Sequence, residues 1–121
     1  MKEIKAVIRP NKLPALRDAL RDLPGFPGMT VSKAEGISAP SRVAHAKPAN
    51  SIKDVLTDYT AKVRIEIVAP DELVDQLVEV IVKAVNTGCV GDGLVWVNTV
   101  ERAVFVHKIM PGAEAVKDYP K

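Results

Sequence analysis

The sequence predicts an α+β domain with two helices on one face of an antiparallel sheet. Three observations carry this reading. Two amphipathic helical runs, near residues 13–23 and 71–85, each lie between runs of strand-like alternation. The two strand–helix–strand halves match in pattern and are joined by a long aperiodic stretch, residues 37–61. A glycine-rich turn, Thr87-Gly88-Cys89-Val90-Gly91-Asp92-Gly93, closes the second helix and leads into a strand. The order βαββαβ is the split βαβ, ferredoxin-like sandwich, here with one extra C-terminal strand. A chain of 121 residues fits one domain with one core, so residues 1–121 are read as a single unit.

Each element has its own signal. Ile4, Ala6 and Ile8 alternate with Lys5, Val7 and Arg9, the pattern of a strand with one buried face. Pro10-Asn11 stops it, and Asn11 is placed to cap the following helix. Leu13, Leu16, Leu20 and Leu23 recur at helical spacing, with Arg17, Asp18, Arg21 and Asp22 toward solvent. Pro24 to Gly28 ends that helix, and Met29 to Glu35 reads as a strand closed by Gly36. Strand alternation returns from Lys62, with Val63, Ile65 and Ile67 on one side. Pro70-Asp71-Glu72 opens the second helix, its acidic residues suited to the first turn. Strands are expected at Leu94–Thr99 and Arg102–His107, and an irregular tail at residues 109–121. The sheet face away from the helices needs a cover, which in so small a domain is usually another copy of itself. Trp96 fits either core packing or such a contact between subunits.

Composition excludes several functions. A net charge of +2 leaves no electrostatic footprint for nucleic acid. Two Phe, two Tyr and one Trp are too few for a stacking platform. No apolar run approaches a membrane span, so direct insertion is not expected. Met1 to Lys5 runs straight into strand pattern without a signal peptide, which points to the cytoplasm. No nucleophile–base or carboxylate pair stands out, so no enzyme is expected.

The glycine turn is the first candidate site. Three glycines and an aspartate in seven residues form a turn whose backbone N–H groups are able to cradle an anion. The spacing G-x-x-G-x-G is neither the dinucleotide fingerprint nor the P-loop. Taken alone, it reads first as a glycine cap on the helix and a tight turn into a strand. Residues 37–61 are too long for an ordinary connection. His45, Cys89 and His107 are isolated candidates for metal or reactive chemistry, and each has an ordinary explanation as a surface side chain or a partly buried strand residue.

From Met1 to about His107 the chain resembles the P-II signal-transduction family. The resemblance rests on four blocks in order: Met1-Lys2-Glu3-Ile4-Lys5-Ala6-Val7-Ile8-Arg9-Pro10, Gly28-Met29-Thr30-Val31, Lys62-Val63-Arg64-Ile65-Glu66-Ile67-Val68-Ala69-Pro70-Asp71, and Thr87-Gly88-x-x-Gly91-Asp92-Gly93. It implies a homotrimeric regulator that binds an adenine nucleotide in clefts between subunits. Residues 37–61 fall on the family's T-loop, which docks on a target, and the glycine turn falls on its B-loop. The residues it assigns to the ligand are Thr30, Gly36, Lys62, Gly88, Cys89, Val90, Gly91, Asp92 and Gly93.

The chain departs from the family at charged positions. The resemblance places lysines where Cys89 and Leu94 stand, and arginines where Phe105 and His107 stand. It also places an arginine near Ala39 and the glutamine of 2-oxoglutarate sites near Pro40. Phe105 and Leu94 supply no charge-assisted bond to phosphate. The ligand is therefore expected to be ADP, AMP or ATP, with ATP held weakly. Tyr59, beside a strand, does not match the family's modified tyrosine. Divergent members with a motif of the Thr60-Ala61-Lys62-Val63-Arg64-Ile65-Glu66 type accompany metal-efflux pumps, so the implied target is a membrane transporter or efflux pump. The alternative is a trimeric metal-binding protein resembling the divalent-cation-tolerance family.

Overall fold

The computed structural model describes residues 1–37 and 59–108. Among these residues four strands and two α-helices form in the order β1 (Lys2–Ile8), α1 (Leu13–Arg21), β2 (Thr30–Gly36), β3 (Thr60–Ala69), α2 (Asp71–Val85) and β4 (Gly93–Thr99). The strands make one antiparallel sheet in the order β2-β3-β1-β4. This is the ferredoxin-like arrangement that the matching halves predict.

Strand alternation fixes which face is buried. Ile4, Ala6 and Ile8 of β1 and Ile65 of β3 are fully buried, and Val63, Ile67 and Ala69 nearly or fully so. Across the ladder Ile4 faces Ile67 and Val97, and Ala6 faces Ile65 and Val95. Leu16 and Leu20 of α1, and Leu77 and Ile81 of α2, complete the core against that face. The spacing of the leucines in α1 is what brings them onto one side. The opposite face carries Glu3, Lys5 and Val7 beside Arg64, Glu66 and Val68, and among the described residues no helix or second sheet lies over it.

Three local expectations are corrected. Asn11 does not cap α1: Pro10–Lys12 forms a 3-10 turn, and α1 starts at Leu13 with Lys12 at its cap position and no side-chain cap. Proline fixes its own φ and favours the tight turn before the helix opens. The strand over Arg102–His107 is not formed: Val106–Lys108 is a 3-10 turn, and residues 102–105 join no ladder. The Val100 N–H donates to the Met1 carbonyl, and then the chain bends at Glu101. Ala103 to Phe105 instead pass the open sheet face beside Glu3, Glu66 and Val68. Trp96 takes no part in the core; it is half-buried on the open face, paired across the ladder with Lys5. Pro70 caps α2 in extended conformation, and Asp71 in its first turn pairs with the N-terminal ammonium at 2.6 Å.

Candidate functional site

The second helix ends at Val85, and Asn86 turns to extended backbone. Its side-chain oxygen accepts the Gly88 N–H at 2.8 Å, which starts the glycine turn. Gly88 and Gly91 then take φ of 80° and 96°, left-handed values that favour glycine. Asp92 closes the turn on itself. Its carboxylate accepts the Thr87 N–H at 2.7 Å, the Cys89 N–H at 3.3 Å and the Thr87 hydroxyl. The Thr87 hydroxyl, then these backbone N–H groups, hold the Asp92 carboxyl below the usual carboxylate range.

Two cations hold the other side of the turn. Arg9, just past β1, donates from Nη2 to the Val90 carbonyl at 3.0 Å and from Nε to the Gly91 carbonyl at 3.1 Å. The same Nε lies 3.6 Å from the Asp92 carboxylate. Lys62 of β3 donates to the Gly91 carbonyl at 2.9 Å and is only 9% exposed. Its stem lies over Gly36, where a Cβ would meet Lys62 Cγ at 3.4 Å. Lysine is almost never buried without a partner, so the pairing with Gly91 is what holds it there.

The expected site residues fall in two places. Gly36, Lys62, Val90, Gly91 and Gly93 line one cavity of about 510 Å³, whose walls are otherwise Val7, Ile37, Leu94 and Trp96. Gly88, Cys89 and Asp92 belong to the same turn, with the Cys89 thiol exposed. Thr30 lies apart. It lines a second cavity of about 490 Å³ with Glu3, Glu66, Val68 and Phe105. Both cavities are on the open sheet face. Phe105 and His107 make a tilted ring contact at 5.7 Å. His45 and most of residues 37–61 lie outside the described residues, as does the tail 109–121. Among the described residues no group of three or more His, Cys, Asp or Glu side chains gathers. No helix there is long and apolar enough to cross a membrane.

Sequence reasoning missed Arg9, which grips the turn from far along the chain. Its signal was present: Arg9 continues the polar alternation of β1, one position past the strand end. It also missed the apolar wall of Val7, Leu94 and Trp96, because each reads singly as a strand residue.

Fold and turn together define a class: a ferredoxin-like α+β domain whose second helix ends in a glycine turn clamped by two cations, one on a strand and one just past a strand end. The family model for "Nitrogen regulatory protein P-II" matches residues 1–109. A protein of that name from Haemophilus influenzae is 39% identical over 104 residues, 86% of this chain and 89% of its own length. One from Bradyrhizobium diazoefficiens is 34% identical over 116 residues, 96% of this chain and 100% of its own length. Nitrogen regulatory protein P-II 1 of Escherichia coli is 38% identical over 104 residues. The chain belongs to the nitrogen regulatory protein P-II family.

Proposed function

We propose that this chain is a P-II regulator rather than an enzyme. It senses a small ligand in clefts between the subunits of a homotrimer and acts from the cytoplasm on a membrane transporter or efflux pump through residues 37–61. The observation that carries the ligand reading is the cavity beside the glycine turn: one apolar wall of Val7, Leu94 and Trp96, and one buried ammonium, Lys62. An apolar wall suits a base, and a single cation already donating to the Gly91 carbonyl suits little phosphate charge. The split between this cavity and the Thr30 cavity on the same open face supports an inter-subunit cleft. Two copies with their open faces together would bring one cavity of each into a shared site.

The ligand expected is AMP or ADP, with ATP gaining nothing from its extra charge. Each missing charged contact is worth about 1.5–3 kcal/mol, roughly tenfold or more in affinity. Calorimetry with AMP, ADP and ATP, together with light scattering on the eluting protein, tests the proposal. Three chains' mass and an affinity that does not rise from AMP to ATP support it. Low-micromolar ATP binding with AMP far weaker would refute the ligand reading, and a monodisperse monomer would refute the cleft.

A further inference from the structure

Asp92 is among the residues expected to contact a ligand, yet its carboxylate is engaged within its own turn. Oδ2 accepts the N–H groups of Thr87 and Cys89, and Oδ1 accepts the Thr87 hydroxyl. These N–H groups are the ones that a nest of this kind offers to a bound anion. Gly88 has its N–H on Asn86, and the Asp92 N–H donates to the Cys89 carbonyl at 3.3 Å. Between Thr87 and Asp92 this leaves the N–H groups of Val90 and Gly91 without an acceptor among the described residues.

We propose that Asp92 is a positioning residue: its carboxylate is a built-in anion that fills the nest at Thr87 to Cys89, sets the shape of the turn, and leaves Val90 and Gly91 as the donors open to a ligand. The charges around it fit this role. Arg9 lies 3.6 Å from the carboxylate, and both Arg9 and Lys62 donate to the turn's carbonyls. An anion holds the turn by its donors while two cations hold it by its acceptors. An incoming phosphate has to displace a carboxylate from charge-assisted bonds, or settle beside it against like-charge repulsion. The proposal rests on the ligand reading above only for its last step, since the filled nest stands without any nucleotide.

The test uses the full chain labelled for NMR. In the wild-type protein, the amide signals of Thr87 and Cys89 are expected to move with the Asp92 carboxyl carbon through one acid transition. Asp92→Ala vacates the nest but leaves Arg9 and Lys62. Sodium formate is then expected to shift the Thr87 and Cys89 amides saturably, and to raise the thermal midpoint of the variant; sodium chloride at equal ionic strength is not. The wild type, its nest already filled, is expected to show neither response. A folded Asp92→Ala chain whose amides ignore formate would overturn the proposal. So would wild-type amides that do not follow Asp92, and that arm decides the matter alone where the variant does not fold. ADP is titrated in parallel into the wild type. Its failure to bind would refute the ligand reading and leave the nest result standing.

Discussion

Gly93→Ala is expected to cost far more stability than substitution of a glycine with open space beside it, and the structure says why. Gly93 starts β4 opposite Ile8, with φ at 133°, where side chains are strained. A Cβ there would lie 2.0 Å from the Val7 carbonyl oxygen, 3.1 Å from its carbon and 3.3 Å from Ile8 Cα. All three are backbone atoms of β1, a strand paired on both sides, so no flexible side chain can yield. The backbone strain is worth about 1–3 kcal/mol. Relieving the clash displaces the first ladder positions between β1 and β4, at about 1 kcal/mol for each hydrogen bond weakened. A total of roughly 3–5 kcal/mol is a large share of the 5–15 kcal/mol typical of a whole domain. Gly28→Ala is the control. Gly28 has φ at 100°, but a Cβ there meets nothing within 4 Å, so it carries strain alone. Urea denaturation followed by Trp96 fluorescence, at one fixed protein concentration, gives both values. Equal losses for the two variants would refute the steric argument and reduce Gly93 to an ordinary turn glycine.

Two further outcomes are expected. Leu77 is fully buried between α2 and the sheet, so Leu77→Ala should cost about 2–5 kcal/mol, whereas Val82→Ala, at a position 44% exposed on the same helix, should stay within about 0.5 kcal/mol in the same denaturation assay. The Asp92 carboxyl is held below its ordinary value in the fold, so its contribution is present above the usual carboxylate range and lost as pH falls through the folded value; Asp92→Asn should flatten that acid limb of the stability profile measured by denaturation across pH.

The sheet and helices were legible because their signals are local. Ile4, Ala6 and Ile8 alternate without a break, and Leu16 and Leu20 sit one turn apart, so each element declares its buried side alone. The strand expected at Arg102–His107 shows the limit. Alternation there is real, but a strand also needs an edge to pair with, and the chain bends away at Glu101 before meeting one. Asn11 fails for a related reason: Pro10 directs the backbone into a 3-10 turn, and the helix opens two residues after Asn11. The turn's glycines were legible as a site because their spacing is dense. What they bind internally was not, since Arg9 is 82 residues from Gly91 in the chain and Lys62 is 29.

The charges near the turn bear directly on what a ligand can gain. Arg9 and Lys62 are cations in the right place, and a count of residues alone would credit them to phosphate. Their hydrogen bonds go to the Val90 and Gly91 carbonyls, so using them on a ligand first costs the turn its own support. Lys62 has donors to spare, because an ammonium carries three and one is engaged. Arg9 keeps three of its five N–H donors, but its charge is already balanced by Asp92. The rim at Leu94, 64% exposed, adds apolar surface where the resemblance implies a lysine. Covering roughly 100 Å² of such a wall contributes about 2.5 kcal/mol, comparable to one charged contact. Affinity at this cavity should therefore follow the apolar part of a ligand and at most one anionic group. Lys62→Met separates the two contributions: it should weaken AMP about tenfold or more while leaving adenosine nearly unchanged, and an equal loss for both would show that Lys62 acts only by holding the turn.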